Sequence, residues 1–317
     1  MNSKVMLMAA LAICGCAKME ERVAPQSEEM VELSFRIPSQ QMTKASGTVA
    51  EDEVKDLQVF IFGQDGQLHA YGHAEADQLT LTCSTGEKRV AALVNAPLAN
   101  YISDENSLMG HVSLFSENSL EKFVMAGIEP KTIDKTGEVI IPVSRLVSKV
   151  VLTSVKNDFQ FEQHREMNFA IKSIFLTNAP KDRGYLSATN PTAWYNKGVS
   201  DMNQIIANAG TMMYDGFQPV SISYGKTHES GKFLYCYPNP IAAGAAPTYL
   251  VVEAILEGKL CYYPVKLPPM ESNKCYNVSL TVCRPGSSTP DVPVDTEEAV
   301  FKVDVQQWTN VPVSDTI

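Results

Sequence analysis

The sequence predicts an all-β chain folded as antiparallel β-sandwiches, and three observations carry that prediction. Apolar residues alternate with polar ones at period two in several separated stretches, the signature of strands with one buried face. Turn chemistry built from Gly, Asn, Asp and Ser falls between those stretches at short intervals. Helical spacing is best in a single region, so helices are expected to be few. The chain has 317 residues, of which 44% are hydrophobic and 20% charged. That is enough apolar material for a folded core, and at about 150 residues per domain the length predicts two domains. Against 36 Asp and Glu stand 26 Lys and Arg, a net charge of −10. This excludes nucleic-acid binding through bulk charge, because neutralising phosphates requires a basic face.

The elements follow in chain order. After Lys4, residues 5–13 (VMLMAALAI) form an unbroken apolar run. It is too short for a membrane-spanning helix, which takes about 20 residues, and suits the core of a signal peptide. No later stretch approaches 18 apolar residues. Ile13-Cys14-Gly15-Cys16 resembles the bacterial lipobox, with Gly15 at the small position before a lipidated Cys16; an ordinary signal with incidental cysteines is the alternative.

Val31, Leu33, Phe35 and Ile37 are separated by Glu32, Ser34 and Arg36, an almost perfect half-buried strand. Residues 56–62 (DLQVFIF) are apolar without alternation and predict a strand buried on both faces. Gln64-Asp65-Gly66 supplies the next turn, and residues 79–82 and 90–94 around Ser84-Thr85-Gly86 predict a hairpin. Residues 108–125 carry the helical spacing, with Leu120, Phe123 and Val124 on one face. Residues 139–141 and 146–152 return to strand character, and the domain boundary is expected near residue 145.

In the second half, residues 167–176 predict a strand and residues 177–230, rich in Asn and Gly, predict long loops. Residues 249–256 and 259–267 joined by Glu257-Gly258 predict a hairpin. Tyr276, Val278, Leu280 and Val282 alternate with polar residues, as do Phe301, Val303 and Val305, and Trp308 is expected to pack in a core.

Chemistry has no visible home. No H-E-x-x-H, G-x-S-x-G, P-loop or G-x-G-x-x-G occurs. His69 and His73 flank a turn-like segment, so no metal is expected. Beyond Cys14 and Cys16, the five cysteines Cys83, Cys236, Cys261, Cys275 and Cys283 lack any C-x-x-C spacing. They read as buried thiols, with one bridge among the last four as the alternative. Two rival functions leave residues to inspect. A glycan platform would use Trp194 and Tyr195 with Tyr185, and a hydrolase would use scattered acids such as Asp201 and Asp215.

Taken in order, these pieces resemble the fimbrillin family, the subunits of type V pili of Bacteroidetes. The resemblance rests on the lipobox, the strand Val31 to Ile37, Thr43-Lys44-Ala45, and Leu57-Gln58-Val59-Phe60-Ile61-Phe62-Gly63. It continues through Val90-Ala91-Ala92-Leu93-Val94-Asn95-Ala96-Pro97, Val143-Ser144-Arg145-Leu146-Val147-Ser148-Lys149-Val150 and Tyr237-Pro238-Asn239-Pro240. Asn273-Lys274-Cys275-Tyr276 and the terminal Val303-Asp304-Val305-Gln306-Gln307-Trp308 complete it. Ala17-Lys18-Met19-Glu20-Glu21, after the lipid site, resembles the export signal of surface lipoproteins in the same bacteria.

The resemblance implies two transthyretin-like β-sandwich domains, a non-enzymatic assembly role and no cofactor. The implied organisation is a lipoprotein signal over residues 1–15, a tether over 16–27, an N-terminal sandwich over 28–145 and a C-terminal sandwich over 146–317. It implies lipidation of Cys16, a surface-exposed place on the outer membrane, and cleavage between Lys44 and Ala45 by a trypsin-like surface protease. Lysine stands where the family carries arginine, which argues against an arginine-only protease. Removal of Val31, Leu33, Phe35 and Ile37 as a displaced strand would open a groove for a strand from another fimbrial subunit. The donor would be Val311, Val313 and Ile317, extending back through Phe301, Val303 and Val305. A fimbrial anchor, which keeps its first strand, and a surface glycan-binding lipoprotein are the other roles such a chain admits.

Overall fold

The computed structural model describes residues 29–37, 51–187, 189–241, 245–292 and 299–308. The signal segment, Cys16, Lys44, Ala45, and tail residues Val311, Val313 and Ile317 lie outside the described residues.

The first half contains β1 (Met30–Arg36), β2 (Leu57–Phe62), β3 (Leu68–Ala74), β4 (Gln78–Ser84), β5 (Gly86–Val94), α1 (Glu105–Met109), β6 (Val112–Leu114), β7 (Met125–Ile133), β8 (Gly137–Ile140) and β9 (Ser144–Arg145). A three-stranded sheet ordered β4-β1-β8 faces a five-stranded sheet ordered β3-β2-β5-β7-β9. The alternating side chains of β1 meet Leu57, Val59 and Ile61 of β2 and Val90, Ala92 and Val94 of β5 in one apolar cluster. Phe60 and Phe62 point the other way, into a second cluster shared with the rest of the chain, so β2 is buried on both faces as its unbroken apolar run requires.

The second half contains β10 (Ser148–Asn157), α2 (Glu162–Arg165), β11 (Phe169–Thr177), β12 (Ala179–Pro180), β13 (Asp182–Gly184), β14 (Trp194–Tyr195), α3 (Met202–Met213), β15 (Tyr214–Ser221), β16 (Thr227–Cys236), β17 (Tyr249–Leu256), β18 (Lys259–Lys266), β19 (Lys274–Val282) and β20 (Ala299–Gln307). Sheets ordered β16-β10-β19-β20 and β15-β11-β17-β18 enclose the larger core. That core runs on through Phe115 and Phe123 to Phe60 and Phe62, and β6 pairs with β13, so the two halves are joined by packing and by a ladder. Most ladders are antiparallel. The exceptions are β1 with β8 and β10 with β19, where the opening strand of each half runs parallel to a later one.

Three sequence expectations need correction. The segment 108–125 is not a helix. Only α1 is helical there, capped by Asp104, whose side chain accepts from the Ser107 N–H, and ended at Gly110. Leu108, Phe115, Phe123 and Val124 do reach the core, but from a short helix, a 3-10 turn and the irregular segment before β7, because pairing of β6 with β13 overrides local propensity. Secondly, β4 and β5 are consecutive but do not pair: β4 bonds to β1, and β5 to β2 and β7. Thr85 and Gly86 (φ 109°) form a corner that carries the chain from one sheet to the other, so turn chemistry marked the reversal without fixing the partner. Thirdly, residues 177–230 are not plain loops, since α3 closes the outer face of β11 and β17 through Ile205 against Phe175, Val251 and Tyr262. By contrast β17 and β18 form the predicted hairpin, with Glu257 (φ 46°) and Gly258 (φ 76°) both left-handed as a two-residue type I′ turn demands.

Candidate functional site

The four inward residues of β1 are sealed. Val31, Leu33, Phe35 and Ile37 are 6%, 2%, 0% and 3% exposed. The strand is held on both edges, antiparallel to β4 (Val31 opposite Cys83, Leu33 opposite Leu81, Phe35 opposite Leu79) and parallel to β8 (Leu33 opposite Gly137, Arg36 opposite Ile140). Burial of a large apolar side chain is worth about 1.5–3 kcal/mol, so these side chains together hold β1 by roughly 6–12 kcal/mol. Backbone cleavage beyond the strand would therefore not release it unaided. Its loss would leave β4 and β8 with unpaired N–H and C=O groups over an apolar wall, and a strand of matching alternation repairs both defects at once.

The opposite condition holds at the other end of the described chain. Among the described residues β20 is an edge strand paired with β19 alone, with Phe301 opposite Leu280, Val303 opposite Val278 and Val305 opposite Tyr276. Directly opposed residues share a face, and these β19 residues are buried. Yet Phe301 is 37% and Val305 47% exposed, and Val303 is half-buried against the core. Thus, among the described residues, β1 has two pairing partners and a closed apolar face, whereas β20 has one partner and an open one.

Between the two halves lies a polar joint at which residues near both ends of the described chain meet. Glu51 accepts hydrogen bonds from Lys149 Nζ (2.7 Å), the Tyr235 hydroxyl (2.6 Å) and Trp308 Nε1 (2.9 Å). Arg145 pairs with Asp52, donates from Nε to the Glu51 carbonyl (2.9 Å) and from an Nη to Asn273 Oδ1 (2.8 Å), and lies 4.4 Å from the Trp308 ring centre. Tyr235 stacks on that indole, with ring centres 5.5 Å apart. Burial pushes the Glu51 carboxyl upward, but the hydrogen bonds from Lys149, Tyr235 and Trp308 outweigh it and hold the group below its ordinary 4.5. A carboxyl depressed in the folded state stabilises the joint fully above that ordinary value, and the contribution is lost as pH falls through the lower, folded-state value. Acid unfolding followed by Trp308 fluorescence is therefore expected to steepen below about pH 4.5, and Glu51→Gln is expected to remove that part of the pH dependence; an unchanged profile would refute the assignment.

This joint has no signature in the sequence. Glu51 and Asp52 belong to no periodic segment, and the partners Arg145, Lys149, Tyr235 and Trp308 are far away in sequence. The single available signal was Trp308, expected in a core and found 5% exposed.

The rival residues have structural roles. The side chain of Asp201 caps α3 by accepting from the Asn203 N–H, and Asp215 pairs with Lys232 at 3.0 Å. Tyr185 is buried and donates to Glu117, Tyr195 packs on Phe115 at 5.9 Å, and Trp194 is half-buried with Lys197 over its ring, so the three do not form an exposed platform. His69 meets Lys88, and His73 meets Asp56. Among the described residues no three His, Cys, Asp or Glu side chains converge as metal ligands. All five described cysteines are free thiols, and burial pushes Cys236 up to about 12.

No family model matches the chain, and no curated protein matches it in sequence. Solved structures do match. A candidate cell adhesion protein from Bacteroides eggerthii aligns over 89% of this chain and 97% of its own, with a TM-score of 0.67 at 17% identity. A fimbrilin from Porphyromonas gingivalis aligns over 88% and 97%, with a TM-score of 0.62 at 16% identity. The tip fimbrial protein Mfa3 from Porphyromonas gingivalis, with a C-terminal truncation, aligns over 88% and 100%, with a TM-score of 0.52 at 11% identity. At these identities the likeness is one of fold, and the chain has the fimbrillin-like fold, all-β across both halves.

Proposed function

We propose that this fimbrillin-fold chain is a structural, non-enzymatic subunit of a bacterial surface fimbria that supports adhesion and assembles by strand exchange. It is exported as a lipoprotein acylated on Cys16 and reaches the outer face of the outer membrane. A trypsin-like surface protease cuts between Lys44 and Ala45, β1 leaves, and the C-terminal segment of a second fimbrial subunit takes its place.

One observation carries the reading: the contrast between the sealed β1 and the open β20. Transfer of an alternating segment from an edge where its apolar face meets water to a slot where that face is covered gains burial, and it replaces one ladder by two. The slot and the donor belong to different sheets, one in each half, so the contact is head to tail and propagates as a filament instead of closing into a dimer. The family resemblance of Thr43-Lys44-Ala45 and the fold of fimbrilins from other Bacteroidetes support the same reading.

The test is N-terminal sequencing and mass analysis of the form present in surface filaments. A mature start at Ala45 is expected. Filaments whose subunits all retain residues 16–44, with Cys16 acylated, would replace the processed-subunit role with that of an anchor.

A further inference from the structure

Residues 51 and 52 connect two events that strand exchange otherwise leaves separate, the cut near the N-terminus and the release of the C-terminal strand. Resting on the strand-exchange reading above, we propose that Glu51 and Asp52 form an autoinhibitory latch on the root of the C-terminal strand, so that cleavage after Lys44 loosens β20 as well as β1.

The hold on β20 is uneven along its length. Among the described residues the strand has a single ladder neighbour and, beyond the buried Ala299 at its start, an open apolar face, but Trp308, the residue that follows it, is 5% exposed. Its indole is held by three side chains: Nε1 donates to Glu51 Oε2, the Arg145 guanidinium lies over the ring, and Tyr235 stacks on it. The Trp308 N–H adds a backbone bond to the Asn273 carbonyl at 3.2 Å. Trp308 is thus the fixed point of an otherwise lightly held strand. Two of these side-chain contacts depend directly on residues 51 and 52. Glu51 receives the indole N–H directly, and Arg145 is kept over the ring by Asp52 and by the Glu51 carbonyl. Glu51 also binds Lys149 and Tyr235, the groups that pack beside the indole.

The same two residues are tied to the processing site by sequence. Upstream, residues 38–50 join Glu51 to the sealed strand β1; downstream, β2 begins at Leu57. In the intact chain residues 51 and 52 therefore sit in a segment anchored at both ends. A cut between Lys44 and Ala45 leaves them behind a free end of six residues, 45–50. A loop anchored at both ends has already met its closure cost, which for thirteen residues corresponds to a factor of tens in effective concentration, and a free terminus lacks that advantage and frays. Departure of Glu51 and Asp52 leaves Trp308 without its N–H acceptor and leaves Arg145 held by Asn273 Oδ1 and the Trp308 carbonyl without its carboxylate partner. An uncut subunit consequently keeps its donor strand closed, and a cut one presents it.

Trp308 reports on the latch directly. The chain has two tryptophans, so Trp194→Phe leaves Trp308 as the sole indole in the full-length mature chain. Acrylamide quenching is measured in dilute, monomeric samples before and after trypsin treatment, with Lys44→Ala as the uncuttable control. The expected result is a red shift and a severalfold rise in the quenching constant on cleavage, absent in the Lys44→Ala chain and present without cleavage in Glu51→Gln/Asp52→Asn. If the double variant fails to fold, hydrogen exchange across β19 and β20 of the wild-type chain before and after cleavage gives the same comparison, with faster exchange expected only in the cut chain. Equal shielding of Trp308, or equal exchange, in cut and uncut chains overturns the latch.

Polymer yield in concentrated aliquots separates the two ideas. Polymer that forms while Trp308 stays shielded sinks the latch and leaves strand exchange standing. A cut chain with exposed Trp308 that stays solitary supports the latch and counts against strand exchange.

Discussion

Oxidised Val31→Cys is expected to abolish polymer formation by the processed chain, and reduction is expected to restore it. Val31 lies directly opposite Cys83 across the antiparallel β1–β4 ladder, both are buried, and Cys83 is a free thiol. Directly opposed strand residues have Cβ atoms about 4.5–5.5 Å apart, and a disulfide draws them to about 3.8 Å, a gap that a small adjustment of the strands closes. The bond would fasten β1 to the wall it must vacate, so the effect is all or none, unlike that of weakening the strand. Burial raises the Cys83 thiol above its ordinary value, opposed by the charge of Lys88, and the thiolate is scarce at neutral pH; an added oxidant is needed. The measurement is size-exclusion chromatography with light scattering on trypsin-processed samples with and without reductant, the bond being verified by mass spectrometry. Polymer in a fully bonded sample would show that β1 need not leave.

The second large effect is an asymmetry. Phe35 is fully buried at the centre of the β1 face, and truncation of such a phenylalanine costs about 3–5 kcal/mol in lost burial and a residual cavity. Phe35→Ala is therefore expected to lower the urea midpoint of the intact chain strongly. If β1 is provisional, the same substitution leaves the stability of polymer grown from processed chains unchanged, because residue 35 has been removed from it. Equal destabilisation of precursor and polymer would mean that the strand is permanent and that the open face of β20 serves another purpose.

The two ends of this pair were unequally legible. Val31, Leu33, Phe35 and Ile37 announced a one-sided strand through spacing alone, and the structure buries all four. Phe301, Val303 and Val305 have the same spacing, and the structure leaves their face open. Nothing local distinguishes the two, since exposure depends on whether the opposite sheet extends far enough to cover the column. Helix α3 was a different kind of miss. Ile205, Ala209, Met212 and Met213 recur at helical intervals and all are buried, but surrounding Asn and Gly residues drew the segment toward a loop reading. The joint of Glu51, Arg145, Lys149, Tyr235 and Trp308 had no signature to find, because hydrogen bonds between distant residues impose no period on the sequence.

By itself the sequence determined where strands form and which side of each is apolar: a pleated strand turns successive side chains to opposite faces, so one-sided burial must be written as alternation and two-sided burial as an unbroken run. Only the tertiary structure decided which strands adjoin, that Thr85 turns a corner instead of closing a hairpin, and which of the two terminal strands is sealed. Those outcomes rest on contacts between residues far apart in the chain, and such contacts leave no local pattern because each strand could satisfy its own alternation beside several different neighbours.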